Sequence, residues 1–157
     1  MIRFALASLA VLGTAALPAA ATLSAEQTVQ KLVETVSEDG TVTSQLVTAE
    51  EVAPGDMVVY GLNYSNDGEE SAEDVSLTMP VPVEVAYVEG SATSEGLKVS
   101  FSVDGGETFT SRGDLTVTLD GESRTALAED ITHIQWQFPE GIAGGSEGEI
   151  TFAAVLN

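Results

Sequence analysis

Apolar and polar side chains alternate along most of this chain, and turn-forming residues interrupt the alternation at short intervals. One such run ends at Asn66-Asp67-Gly68 and carries Val58, Tyr60, Leu62 and Tyr64. Further runs carry Leu97, Val99, Phe101 and Val103; Leu115, Val117 and Leu119; Ile134, Trp136 and Phe138; and Ile150, Phe152, Ala154 and Leu156. A period of two is typical of β-strands with one buried face, and Asp, Asn and Gly form the turns between them. The pattern therefore predicts an all-β fold.

Two prolines fall within another alternating run, which extends from Val75 to Tyr87. Pro80 and Pro82 each lack the N–H that a central strand donates to its neighbour. We therefore expect two strands here, or one edge strand that switches sheets.

The segment before Pro54 allows two interpretations. Val29–Val36 and Val42–Thr48 flank Glu38-Asp39-Gly40, which favours a β-hairpin. The alternative is an amphipathic helix over residues 24–36, because Ser24 is a suitable N-cap and Gln27 stands at the capping-box position. The β-branched content favours the strand.

Eight to ten short strands separated by regular turns indicate an antiparallel β-sandwich in one domain. The 157 residues include no cysteine, so no disulfide, thiolate metal site or cysteine nucleophile is available. The fold must be stabilised by its core, and a hydrophobic fraction of 43% is sufficient for one.

The first residues have the order of a secretory signal peptide. Arg3 precedes an apolar run from Phe4 to Leu17, and small residues follow it. Ala19 and Ala21 fit the cleavage rule, so we expect a signal-peptide helix over residues 1–21 and cleavage before Thr22. The run is shorter than a membrane-spanning helix requires, so no transmembrane segment is expected after cleavage. The chain is expected to be exported, to the periplasm or to the cell surface or medium.

The charge is strongly negative. There are 25 Asp and Glu residues against 5 Lys and Arg, which gives a net charge of −20. Nucleic-acid binding needs clustered Lys and Arg on the phosphates, so nucleic acid is excluded as a partner. An acidic surface keeps an exported protein soluble.

From Pro54 onward, several short motifs occur in an order that resembles a known family. The opening is Pro54-Gly55-Asp56-Met57-Val58-Val59-Tyr60, and the strand that follows ends at Asn66-Asp67-Gly68. Val75–Pro80 and Tyr87-Val88-Glu89-Gly90-Ser91-Ala92 come next, and Trp136, Gly144-Gly145-Ser146 and Ile150–Val155 close the series. This order resembles the conserved-repeat domain of bacterial surface and exported proteins, called domain of unknown function eleven.

The resemblance implies an immunoglobulin-like sandwich over residues 54–157 and carries no catalytic residues. Residues 22–53 would then be an N-terminal hairpin or strand pair that completes the sandwich. The family often occurs in tandem arrays, whereas this sequence shows one copy.

Acidic loops suggest one candidate metal site. Asp67, Glu69, Glu70 and Asp104 lie at predicted loops, and Ca²⁺ binds converging oxygen ligands. The order of these residues is not that of an EF-hand, and their composition favours a solvated acidic surface over a calcium site. No other cofactor is expected.

Three further features have simple structural interpretations. The segment from Ser102 to Phe109 resembles an Asp-box, in which the aspartate stabilises a hairpin turn, so Asp104 is predicted to be structural. His133 is the only histidine, and no nucleophile elbow accompanies it, so it is predicted to lie exposed on a strand. Trp136 is in phase with Ile134 and Phe138, which predicts a place in the core.

The sequence thus predicts a protein without enzymatic activity that has a structural or binding role in the cell envelope, with a protein or another envelope component as partner. One alternative is a calcium-dependent binding module that uses the acidic loops. A hydrolase with paired carboxylates is a third hypothesis.

Overall fold

A computed structural model describes residues 21–49, 51–93 and 95–157. Those residues form ten strands, two short 3₁₀ turns and the loops between them. The strands are β1 (Leu23–Val36), β2 (Val42–Thr48), β3 (Met57–Asn66), β4 (Ser76–Pro80), β5 (Val85–Tyr87), β6 (Lys98–Ser102), β7 (Thr116–Leu119), β8 (Glu122–Thr125), β9 (His133–Gln137) and β10 (Glu147–Leu156). The predicted all-β class is confirmed.

The strands form two main antiparallel sheets with a core between them. The five-stranded sheet has the order β2-β1-β3-β10-β5, and the three-stranded sheet has the order β4-β9-β6. β7 and β8 form a separate two-stranded ribbon. Because buried residues of both main sheets belong to one cluster, the architecture is sandwich-like, as the strand pattern predicted.

Aromatic side chains join the two layers. Trp136 of β9 stacks on Phe152 of β10, with ring centroids 6.4 Å apart, and both residues are fully buried. The indole N–H of Trp136 donates to the carbonyl of Thr93 at 2.8 Å, so its one polar group is satisfied. The predicted core position of Trp136 is confirmed.

The prolines of the Val75–Tyr87 run separate two strands, as predicted. β4 ends at Pro80 and lies at an edge of the three-stranded sheet, whereas β5 lies at an edge of the five-stranded sheet. The chain therefore changes sheets between Pro80 and Val85, where a proline costs no central ladder bond.

The N-terminal segment is a hairpin, and the helix alternative over residues 24–36 is wrong. β1 pairs with β2 from Gln30↔Thr48 to Val36↔Val42, and the amide of Ser37 donates to the carbonyl of Thr41 at the turn. Extended backbone suits the β-branched residues, and β3 provides a second partner strand for β1. No described residue before Val58 belongs to the buried core, so the hairpin widens the five-stranded sheet and leaves the core to the rest of the chain.

Two of the predicted turns depend on particular residues. Asp120 and Gly121 both have positive φ, 52° and 86°, which is the backbone of a type I′ hairpin turn between β7 and β8. At the end of β3, the side chain of Asn66 is fully buried and accepts hydrogen bonds from the amides of Thr22 and Gly68. Its amide group donates to the carbonyls of Glu70 and Ile142, which fixes the loop after β3 against the loop before β10.

Residues 1–20 of the predicted signal peptide lie outside the described residues. Within residues 21–49, 51–93 and 95–157, no helix is long and apolar enough to cross a membrane.

Candidate functional site

The β1–β2 hairpin extends beyond the rest of its sheet. β1 pairs with β3 from Leu23 to Lys31, and its remaining residues up to Val36 pair with β2 alone. Every residue of β2 is exposed to solvent. The end of the hairpin is therefore a two-stranded projection with neither face buried.

Exposed apolar side chains are concentrated on this hairpin and the segment after it. Seven of the ten large hydrophobic residues found exposed in the described part of the chain lie between residues 23 and 52: Leu23, Val29, Val36, Val42, Leu46, Val47 and Val52. Val36 is 67% exposed and Val42 is 56% exposed. Single exposed hydrophobic residues are ordinary, but a concentration of them marks an interaction surface.

The strand register places exposed and partly buried apolar side chains opposite one another on the hairpin. Leu32 stands opposite Leu46, and Val36 stands opposite Val42. Both pairs lie on one face of the hairpin, since positions two or four apart along a strand share a face. Val33 and Val47 lie on the other face, which is the same side of the sheet as the core-facing residues of β3. The hairpin therefore presents apolar side chains in two directions.

An ion pair fixes the base of the hairpin. Lys31 Nζ lies 2.5 Å from Asp56 Oδ2, and the same carboxylate accepts a hydrogen bond from the amide of Ala53. These bonds, that of Lys31 foremost, lower the pKa of Asp56 below its ordinary value. The aspartate of the Pro54-Gly55-Asp56 motif thus links β1 to the turn that begins β3.

The four carboxylates predicted as a calcium site are held in two different loops. Asp67, Glu69 and Glu70 follow β3, and Asp104 follows β6. In the described part of the chain, no three His, Asp or Glu side chains are grouped so that they could hold a metal ion. These four carboxylates therefore do not form a calcium site.

Asp104 is engaged in its own turn, as the Asp-box resemblance predicted. Its Oδ1 accepts hydrogen bonds from the hydroxyl of Ser102 and from the amides of Glu107 and Thr108. Its Oδ2 accepts one from the hydroxyl of Thr108. These donors, with Ser102 the strongest, hold the pKa of Asp104 far below its ordinary value. The carboxylate is a structural element of the turn.

His133 lies beside this turn and is partly buried, which corrects the prediction of an exposed side chain. Gly106 lies against its ring: a β-carbon added at Gly106 would be 3.4 Å from two of the ring carbons. The ring nitrogen Nδ1 lies 3.3 Å from the hydroxyl of Thr132. These contacts are those of a packed strand residue.

Two ion pairs were not anticipated from the sequence. Arg112 contacts both carboxylate oxygens of Glu89, and Arg124 contacts both of Asp130. Arg124 and Asp130 are six residues apart in the sequence, which is a signal of local pairing, whereas Arg112 and Glu89 are joined only by the fold. Together with Lys31, three of the four described Lys and Arg residues neutralise a carboxylate.

An open groove crosses β1, β3 and β10 at the other end of the hairpin strand. Its polar lining includes Ser24, Glu26, Asn63, Ser65, Glu147 and Glu149. The register aligns Glu26, Asn63 and Glu149 in one row across the three strands. This face of the sheet is acidic.

Comparison of the chain with family models, with curated proteins and with solved structures found no match.

Proposed function

We propose that this protein is an exported, non-catalytic β-sandwich module that binds a component of the cell envelope through its β1–β2 hairpin. The observation that carries the proposal is the concentration of exposed apolar side chains on a hairpin that contributes nothing to the core. Maintaining such side chains in water is unfavourable, and covering them by a partner would recover that free energy.

The proposed location rests on the first residues of the chain. Arg3, the apolar run from Phe4 to Leu17 and the small residues up to Ala21 form the signal-peptide pattern. The absence of cysteine is compatible with an oxidising compartment, because no thiol is at risk there.

We also propose that the sandwich is immunoglobulin-like and related to the conserved-repeat domain of bacterial surface proteins. The antiparallel sheets and the buried Trp136 on a central strand support this relationship. Because members of that family share no catalytic residues, the relationship favours a binding or structural role.

Site-specific photocrosslinking in the native host tests the proposed function. A photoreactive amino acid replaces Leu46 on the hairpin, and a matched variant carries it at Leu119, which is also exposed but lies on the β7–β8 ribbon. We expect a discrete adduct in the envelope fraction from position 46 and none from position 119. Adducts from both positions alike, or from neither, would contradict the proposal.

A further inference from the structure

Most strand edges among the described residues carry features that prevent pairing with another chain. β5 has three residues, and β7 and β8 have four each. β4 ends in Pro80, and β6 begins with Lys98 and is bridged at Phe101 by Thr110. Short length, proline, lysine and a covering loop are the usual ways in which proteins block an exposed edge.

β2 has none of these features. It is a seven-residue edge strand without proline or charge, and it is fully exposed. Among the described residues, β1 is its only strand partner. Such an edge offers backbone donors and acceptors to an added strand.

The hydrogen-bond pattern shows which residues of β2 face the open side. At the two ends of the hairpin, Ala49 donates to Val29 and Ser37 donates to Thr41. These bonds place the odd-numbered residues of β2 in the hydrogen-bonded positions toward β1. Because the direction alternates along a strand, the N–H and C=O groups of Val42, Ser44 and Leu46 point to the open edge.

The charges around β2 indicate the sign of the partner. Glu38 and Asp39 lie in the turn before it, and Glu51 follows it. The whole chain has a net charge of −20, so a second copy would bring like charges to both ends of the strand. A partner with positive ends would be attracted to the same two places.

We propose that the open edge of β2 binds an extended segment of a partner protein, as a sixth strand of the five-stranded sheet. The segment has alternating β-branched or apolar residues, which extend the rows begun by the Leu32–Leu46 and Val36–Val42 pairs, and Lys or Arg at its ends. This inference rests on the proposed binding function and specifies its partner class and geometry.

A synthetic peptide tests the recognition. The probe is a fluorescent peptide as long as β2, with alternating Val and Thr and with Lys at both ends, and a matched peptide carries Glu at both ends. Fluorescence anisotropy is expected to show saturable binding of the Lys-ended peptide, weaker at high salt, and at least about tenfold weaker binding of the Glu-ended peptide. Equal affinities, or no saturable binding of the Lys-ended peptide, would overturn the proposal.

A proline on the edge tests the geometry. Ser44→Pro removes an N–H that points to the open side and leaves the bonds between β1 and β2 in place, whereas Ser44→Thr keeps that N–H. With an unchanged melting temperature in both variants, we expect about tenfold weaker peptide binding by Ser44→Pro and less than about twofold change in Ser44→Thr. If Ser44→Pro unfolds the hairpin, the test is made on the unmodified protein by following the amide chemical shifts of Val42 and Leu46. Strand addition requires both shifts to change on saturation with the peptide, and unchanged shifts would overturn the proposal.

Two other outcomes separate this inference from the proposed function. A crosslink from position 46 that survives Ser44→Pro would retain the proposed function and overturn strand addition. Sedimentation without peptide could also show reversible dimers that Ser44→Pro abolishes. That result would assign the edge to a second copy of the chain and overturn the proposal of a partner with basic ends.

Discussion

Asp104 shows how a single carboxylate can organise a turn without taking part in chemistry. It accepts hydrogen bonds on both oxygens from Ser102, Glu107 and Thr108. These donors favour the ionised form, which is why the pKa of Asp104 is lowered. The sequence motif was sufficient to predict this role, because all of the partners lie within four residues of Asp104 in the sequence.

The stability of the turn should therefore depend on pH. A carboxyl group with a lowered pKa in the folded state stabilises the fold above its unfolded pKa, near 3.8, and this stabilisation is lost as the pH falls through the folded value. We expect Asp104→Asn to have a lower melting temperature than the unmodified protein at pH 7. Below about pH 3, we expect the difference between the two melting temperatures to become smaller. Glu107→Gln, in the same turn, is the control for loss of charge. A constant difference between Asp104→Asn and the unmodified protein at all pH values would contradict this account.

Gly144 is required for close packing between two loops. A β-carbon at this position would lie closer than 3.0 Å to backbone atoms of Gly68 and Glu69. We expect Gly144→Ala to reduce the free energy of unfolding by about 1–3 kcal/mol in urea denaturation. Gly113→Ala is the control, since no atom lies within 4 Å of its added carbon. Equal effects of the two substitutions would show that the loops can move apart without cost.

Among the elements, the β1–β2 hairpin shows the largest difference between what the sequence predicted and what the structure shows. Alternation and the Glu38-Asp39-Gly40 turn predicted the hairpin itself, because both are local signals. They did not predict that its apolar side chains are exposed. An alternating strand normally buries one face, and whether that face is covered depends on which other parts of the fold lie opposite it.

The exposed pairs on the hairpin should be dispensable for stability. We expect Val42→Thr combined with Leu46→Thr to change the free energy of unfolding by less than about 0.5 kcal/mol and to reduce binding of a hydrophobic dye. Val58→Thr, at a position only 3% exposed, should cost about 1–3 kcal/mol because it buries a hydroxyl group. A large decrease in the free energy of unfolding of the double variant would contradict this account, because it would show that this face of the hairpin is packed in the interior.

For the whole molecule, the sequence predicted the fold class and most strands because period-two alternation is strong and local. The pairing of β3 with β10 joins distant parts of the chain, and no local signal specifies it. The candidate surface was missed for the same reason. The segment Val42–Thr48 carries no charge although the chain is acidic, and this was a signal of the candidate surface. The signal can be interpreted only once β2 is known to be an edge strand.

Core packing rather than a metal ion should account for the stability of the molecule. The described carboxylates form no group that could hold an ion, and the core is apolar around Trp136 and Phe152. We expect the same melting temperature, within about one degree, in chelator and in millimolar Ca²⁺, because a ligand stabilises only if it binds the native state. A clear rise with Ca²⁺ would favour the calcium-dependent alternative.

Residue-resolved amide hydrogen exchange of the free protein tests the central claim most directly, since it reports which amides of β2 are bonded. We predict slow exchange for Thr43, Gln45 and Val47, which face β1, and fast exchange for Ser44 and Leu46, which face the open edge. Slow exchange at all five amides would show that this edge is already occupied, and fast exchange at all five would show that the hairpin does not form.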